Sequence, residues 1–259
     1  MRGWSGLYRT SVGLGLRHLA RHGYLREAVI RVVCPLDPSR YVELPWAERE
    51  LKARPGESVL DLASPKLLAL VLARQGVVVT SVDALESEIE SWRRLTAGEP
   101  NLHLEVADGR ELPFADESFD HAYSVSVLEH IADDGDERAL RELARVVRRG
   151  GRVLLTSPYA DAYREEWRDA PVYGGDGQAG GRHFFQRWYD AEGVRRLVAA
   201  APALELVSSS VVRLQPNCNE AFVRTFPLLL PLGPVFGLLA REREGPGADV
   251  IRLTLTRRR

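Results

Sequence analysis

Apolar runs alternate with segments of helical spacing through the middle of the chain, from residue 57 onward. Runs rich in valine and leucine at residues 59–62, 77–82 and 102–106 have the length and composition of buried strands. The stretch after Pro65 and residues 86–95 between these runs favour helices. Because the hydrophobic period switches repeatedly between strand and helix, we predict a parallel sheet with crossover helices.

The same alternation continues toward the C-terminus. Residues 119–125 and 153–156 predict a fourth and a fifth strand, separated by a predicted helix over 138–147. Gly150 and Gly151 follow two arginines there, as is typical of a helix end. The last predicted elements are a helix over 190–200 with Asp190 as its N-cap and two late strands over 204–212 and 250–255.

The chain divides into a lead-in and one larger domain. Residues 1–55 predict a helical lead-in, which is broken at residues 35–38 and ends with a short helix over 45–51. We expect residues 56–259 to form the domain, with insertions at 158–187 and 221–245. A long connection such as 158–187 is usually functional or disordered.

Residues 221–240 form the most apolar stretch, but three prolines and Arg224 argue against a membrane-spanning helix. The alternatives are a buried or interfacial hairpin, a lid over an apolar substrate, and a surface for a partner or a peripheral membrane contact.

Charge and cysteine content exclude several classes of protein. The net charge of −1 does not indicate a nucleic-acid partner. Cys34 and Cys218 have no paired spacing, so neither a disulfide framework nor a zinc site is predicted, and a reducing, cytoplasmic location fits. The N-terminus lacks a secretory signal, but its first 26 residues are basic and free of acids. They could form a presequence, a membrane-surface helix, or a helix packed over a binding site of the larger domain.

Acidic residues stand at or just after the first three predicted strands. Asp61 lies near the end of the first, Asp83 ends the second, and Asp108 follows the third. The carboxyl ends of parallel strands share one edge of a sheet, so these acids are predicted to border a nucleotide-type pocket.

Residues 59–159 resemble the class I S-adenosylmethionine-dependent methyltransferases that act on small molecules and lipids. The resemblance rests on VLDLASPK at 59–66, SVD at 81–83, EVADGRELPFADESFDHAYSVSVLEHI at 105–131 and ALRELARVVRRGGRVLLTSP at 139–158. It implies an α/β Rossmann-like fold with a mostly parallel seven-stranded sheet flanked by helices. It also implies S-adenosyl-L-methionine as the cofactor.

The resemblance further implies roles for individual residues. Asp61 belongs to the turn that receives the methionine moiety, Asp83 takes the ribose hydroxyls, and Asp108 lies near the adenine amino group. The cofactor-binding positions implied in this way are Asp61, Ala63, Ser64, Lys66, Asp83, Ala84, Asp108, Gly109 and Ser124.

The first turn departs from the family pattern, which has glycines where this chain reads Ala63-Ser64-Pro65-Lys66. One interpretation keeps a tight turn with Pro65 starting the helix and Lys66 pairing with the cofactor carboxylate. The other has side chains fill the pocket, with loss of cofactor binding.

Two histidines are candidates for a catalytic base. His130 follows the fourth predicted strand, and His183 lies in the long insertion; each could instead be structural. No metal motif is present. Six aromatic residues could line an acceptor pocket or simply pack the insertion: Tyr159, Tyr163, Trp167, Tyr173, Trp188 and Tyr189.

We therefore expect an enzyme that methylates a small or hydrophobic acceptor, such as a quinone, isoprenoid or polyketide-like molecule, at oxygen or carbon. The alternatives are a non-catalytic scaffold with a degenerate cofactor loop and an enzyme that uses the same fold for other chemistry.

Overall fold

The computed structural model describes residues 4–22, 29, 31–32, 39–172, 178–179, 181–213 and 250–259. The helices within these residues are α1 (Trp4–His22), α2 (Arg40–Leu51), α3 (Leu67–Arg74), α4 (Glu86–Leu95), α5 (Gly135–Val146) and α6 (Ala191–Ala199), with a short 3-10 turn at Leu128–His130. The strands are β1 (Ser58–Leu62), β2 (Val78–Asp83), β3 (Leu102–Val106), β4 (His121–Val125), β5 (Arg152–Pro158), β6 (Arg164–Arg168), β7 (Gln178–Ala179), β8 (Arg182–Trp188), β9 (Leu204–Val212) and β10 (Val250–Arg257).

Seven of these strands form the central sheet, in the order β3-β2-β1-β4-β5-β10-β9. The first five are parallel, and β10 runs antiparallel to both β5 and β9. This confirms the predicted α/β fold with a mostly parallel seven-stranded sheet. Strand β5 extends past the predicted end to Pro158 because β10 pairs with it along its whole length, up to Val250.

Helices cover both faces of the sheet. Helices α1 and α3 pack on one face, where Leu7 and Leu14 of α1 are buried with the apolar side of α3. Helices α5 and α6 pack on the other, around Leu140 and Leu197. The carboxylate of Asp190 accepts a hydrogen bond from the amide of Gly193, so Asp190 is the predicted N-cap of α6.

Helix α2 is longer than the sequence indicates. Residues 45–51 were expected as a separate helix because proline favours a first turn, but the helix begins at Arg40 and contains Pro45. Proline removes one backbone hydrogen bond there. Glu43 of the same helix is fully buried, and its carboxylate connects the helix to the sheet. It accepts hydrogen bonds from the hydroxyls of Ser126, which follows β4, and Thr156 of β5.

The insertion at 158–187 contains a small antiparallel sheet of β6, β8 and β7 rather than an open loop. A buried ion pair between Arg187 of β8 and Asp136 of α5 attaches this sheet to the main domain. Asp136 also accepts a hydrogen bond of 2.6 Å from the hydroxyl of Tyr189. The described residues of the insertion are therefore packed against the rest of the fold.

Several expectations concern residues outside the described ranges. They are those for Cys34, Cys218, Tyr173 and the apolar segment at 221–245. Among the residues that are described, no helix combines the length and the apolar character needed to cross a bilayer.

Candidate active site

The sheet order places a ligand crevice at the carboxyl ends of β1 and β4. The chain leaves β1 in one direction across the sheet and continues from β4 in the other, so the loops after these strands diverge and leave a cleft. Predicted site residues from β1, β2, β3 and β4 all lie at this edge.

The turn after β1 is built around Asp61, which is fully buried. Its carboxylate accepts hydrogen bonds from the Ser64 amide (3.1 Å) and the Ser81 hydroxyl (2.6 Å). Burial raises the pKa of Asp61, while nearby Lys66 opposes that shift. Asp61 thus holds the turn after β1 in place through these hydrogen bonds, and its implied role in cofactor binding stays a prediction.

The turn itself is tight despite its lack of glycine. Ala63 adopts a left-handed conformation with φ of 52°, which glycine accommodates more easily. The hydroxyl of Ser64 accepts a hydrogen bond from the amide of Val125 on β4. Helix α3 then starts at Leu67, so Pro65 precedes the helix.

Lys66 points its ammonium group at Asp83. The Nζ atom lies 3.0 Å from Asp83 Oδ2 and 3.1 Å from the carbonyl oxygen of Ser64, and the side chain is 1% exposed. The sequence hypothesis that Lys66 pairs with the cofactor carboxylate stays a prediction, but the structure gives this lysine a different partner.

Asp83 ends β2 at the edge of the crevice. The amide of Leu85 donates to its Oδ1 at 3.0 Å, while Lys66 donates to its Oδ2. The neighbouring Ala84 is exposed. Asp83 is therefore held on both oxygens by protein donors, yet keeps acceptor capacity on each, since a carboxylate has about four lone-pair sites.

Asp108 lies at the third strand end and is more exposed. The backbone amide and the guanidinium of Arg110 donate hydrogen bonds to its carboxylate, and these hydrogen bonds lower the pKa of Asp108. Gly109 packs against β1, because an added Cβ would lie 2.8 Å from Leu62 Cδ1. A methyl group at this position would therefore force the buried Leu62 side chain to shift.

Ser124 belongs to β4 and is fully buried. Its hydroxyl donates to the carbonyl oxygen of Leu62 at 3.0 Å, which ties β4 to β1. Its predicted place in the wall of the cofactor pocket stays a prediction.

His130 has a defined orientation in the 3-10 turn after β4. Its Nδ1 lies 2.7 Å from the carbonyl oxygen of Phe185, and because a carbonyl only accepts, Nδ1 carries the proton. Burial lowers the pKa of His130, so the neutral ring is favoured with Nε2 as its basic nitrogen. This arrangement suits a general base.

His183, the second candidate, lies on β8 beside Arg168 of β6, within the small sheet. The aromatic residues of this sheet largely pack on one another and on arginines. Trp167 contacts Phe184 edge to face, and Arg164 lies over Trp188. Packing therefore accounts for several of the aromatic residues proposed for the acceptor pocket.

Two buried acids near the ends of β4 and β5, Glu43 and Glu129, were not identified from the sequence. Glu43 is fully buried, and its carboxylate also accepts from Arg40 at 2.5 Å. Glu129 is 1% exposed; its Oε1 lies 3.8 Å from His130 Nε2, and the hydroxyl of Ser157 donates to its Oε2. Burial, reinforced by Glu43, raises the pKa of Glu129 to about 8.

The crevice therefore has two chemically different halves. Asp83 and Asp108, whose carboxylates can accept hydrogen bonds, lie at the carboxyl ends of β2 and β3. Hydroxyl groups, two buried acids and His130 lie near the carboxyl ends of β4 and β5. Among the described residues, no cluster of three or more metal-binding side chains occurs.

Comparison with known proteins agrees with this geometry. Residues 60–155 match the model of a methyltransferase domain family. A demethylmenaquinone methyltransferase from Corynebacterium efficiens is 39% identical over 115 residues, which cover 42% of this chain and 46% of that protein. The chain spans less than half the length of the curated relatives it matches.

Solved structures share the fold at low identity. A 1,6-didemethyltoxoflavin-N1-methyltransferase from Burkholderia thailandensis, with 1,6-didemethyltoxoflavin and S-adenosylhomocysteine bound, aligns with a TM-score of 0.57 at 18% identity, over 85% of this chain and 80% of that one. The [4+2]-cyclase SpnF aligns with a TM-score of 0.56, also at 18% identity, over 83% of this chain and 79% of that one. These two likenesses concern the fold alone.

Proposed function

We propose, from the premise that residues 60–155 belong to the methyltransferase domain family, that this protein transfers a methyl group from S-adenosyl-L-methionine to a small-molecule acceptor. One observation carries the proposal: Asp83 stands at the end of β2 with both oxygens oriented by protein donors and with acceptor capacity left on each. Two vicinal ribose hydroxyls need such a pair of acceptors.

The described residues fit the cofactor in a defined way. Asp83 would accept from the ribose hydroxyls, Asp108 and Gly109 would border the adenine, and the turn from Ala63 to Lys66 would border the methionine moiety. When bound, S-adenosyl-L-methionine supplies an activated sulfonium methyl group, so the protein mainly aligns the acceptor and excludes water.

The residues at the carboxyl ends of β4 and β5 would bind the acceptor and remove its proton. His130 Nε2 would take the proton from an acceptor hydroxyl or acidic carbon, since Phe185 fixes the proton on Nδ1 and burial keeps the ring neutral. His183 is the second candidate for this role. We propose methylation at oxygen or carbon.

The acceptor is proposed to have a polar head and an apolar body, such as a quinol or a phenolic polyketide. The hydroxyls and acids near the ends of β4 and β5, including Glu129 next to His130, support the polar head. The relative named demethylmenaquinone methyltransferase and the apolar segment at 221–240 support the apolar body. That segment could also bring the protein to a membrane surface.

Methyl transfer can be tested with S-adenosyl-L-methionine labelled in its methyl group and a panel of quinols and phenols. Label in a product with wild-type protein, strongly reduced in His130→Gln, supports the proposal. His103→Gln, a variant of a histidine on β3, is the control that should retain activity. Label in no product, with cofactor binding intact, would favour other chemistry in the same fold, as the [4+2]-cyclase structure illustrates.

A scaffold without catalysis is the second candidate, favoured by the turn after β1, which lacks the glycines of the family pattern. In that case folded protein would bind no S-adenosyl cofactor at all.

A further inference from the structure

Lys66 is a buried cation at the edge of the crevice. Only 1% of its side chain is exposed, and lysine is rarely buried to this degree without a partner. The Nζ atom donates to Asp83 Oδ2 at 3.0 Å and to the carbonyl oxygen of Ser64 at 3.1 Å. One lysine thus connects the turn after β1 to the end of β2.

Lys66 also lies where its charge is locally unfavourable. It immediately precedes Leu67, the first residue of α3, and the N-terminus of a helix repels a positive charge. Ala63, in the same turn, has a positive φ of 52°. Local preferences are violated in this way mainly at functional sites, where other contacts compensate for the strain. Here the compensating contact is Asp83.

The pair leaves Asp83 ready for a diol. Lys66 occupies one acceptor position on Oδ2, and the amide of Leu85 occupies one on Oδ1. Each oxygen retains about one further acceptor position, and the side chain is 12% exposed, at the rim of the crevice. Two donors of fixed position therefore set the rotation of the carboxylate.

We propose that Lys66 is a positioning residue for ribose recognition: its ammonium group fixes the Asp83 carboxylate to receive two vicinal ribose hydroxyls, and does not bind the carboxylate of the cofactor. This inference rests on the proposed function. In this chain the Lys66–Asp83 ion pair, rather than a glycine-rich turn, would then order this part of the pocket.

Two ligands distinguish the two roles of Lys66. S-adenosylhomocysteine has both the ribose diol and the amino-acid carboxylate, whereas 5′-methylthioadenosine has the diol but no carboxylate. Their affinities are measured by calorimetry for wild-type protein and Lys66→Met. Lys52 is the other lysine of the chain and is exposed at the end of α2, so Lys52→Met is the matched control.

We expect Lys66→Met to weaken both ligands by the same factor, about tenfold or more, by analogy with the loss seen when the hydrogen-bond partner that orients a metal ligand is removed. Lys52→Met should leave both affinities unchanged. A loss confined to S-adenosylhomocysteine would overturn the inference and make Lys66 a carboxylate ligand. Unchanged affinity for both ligands would also overturn it.

Circular dichroism shows whether Lys66→Met is folded. If it is not, Lys66→Arg retains the charge but displaces its donors, and it should weaken both ligands equally; a loss for one ligand alone contradicts the proposal. Wild-type protein that is folded but binds neither ligand would refute the proposed function together with this inference. Wild-type binding with an unaffected Lys66 variant refutes the inference alone.

Discussion

The buried carboxyl group of Glu129 should make the stability of this protein depend on pH in an unusual direction. Glu129 is 1% exposed, and the charged or titratable groups near it are Arg40, Glu43 and His130. Burial raises its pKa from 4.5 to about 8, so the folded protein holds a proton there at neutral pH. The unfolded chain releases that proton near pH 4.5.

The direction in which the free energy of unfolding changes with pH follows from proton uptake on folding. A group whose pKa is raised in the folded state contributes stability that is complete below the unfolded pKa and is lost as pH rises toward the folded pKa. For Glu129 this window runs from 4.5 to about 8. Within it, the free energy of unfolding should fall by up to about 1.4 kcal/mol per pH unit.

Glu129→Gln tests this reasoning, because an amide has the shape of a protonated carboxyl group and does not titrate. Urea unfolding of wild type and variant is compared at about pH 5 and about pH 7, and the stability of the variant relative to wild type should rise by up to about 3 kcal/mol between them. His130, whose lowered pKa acts in the opposite direction, is present in both proteins.

The control is Glu86→Gln, which removes an exposed carboxyl group on α4 and corrects for the general loss of one charge. If the stability difference between Glu129→Gln and wild type were the same at both pH values, Glu129 would be ionised in the folded state. The conclusion that burial raises the pKa of Glu129 would then be wrong.

Three further predictions concern packing, the insertion and the base. Gly109→Ala should destabilise the protein by about 1–3 kcal/mol in urea unfolding, since its Cβ would press on Leu62; unchanged stability would contradict the close approach. Arg187→Met should cost about 3–5 kcal/mol because Asp136 stays buried without its cation, and a loss below about 1 kcal/mol would show that the pair does not anchor the insertion. The acid limb of the pH–rate profile for methyl transfer should lie below the ordinary histidine range, because burial lowers the pKa of His130, and it should be absent in His130→Gln.

The main sheet was predictable because its signal is local. Strands β1 to β5 are short apolar runs separated by helical periodicity, and their bounds differ from the predicted ones by only a few residues. The acids at the first three strand ends were likewise visible, since strand ends in a parallel sheet share one edge.

The features that were missed depend on contacts between distant parts of the chain. Glu43 bonds to Ser126 across 83 positions, and no local pattern in a helix that contains Pro45 indicates such a contact. Strands β6 and β8 carry charged residues on both faces, so they lack the alternation that marks a half-buried strand. Their attachment depends on Arg187 reaching Asp136 on another element.

The partner of Lys66 shows a different limit of sequence reasoning. A lysine after the first turn has two anionic candidates, the cofactor carboxylate and a protein acid, and only the folded geometry brings Asp83 within 3.0 Å. The sequence supplied the residue, while the structure supplied its contact.

Calorimetric titration of purified wild type and Asp83→Ala with S-adenosylhomocysteine tests whether this protein binds the cofactor and holds its ribose through Asp83. We expect micromolar-range affinity for wild type and a loss of about tenfold or more for Asp83→Ala, because a charge-assisted pair of hydrogen bonds to the ribose is removed. Folded wild-type protein that binds no cofactor, or an Asp83→Ala variant that binds as tightly as wild type, would contradict it.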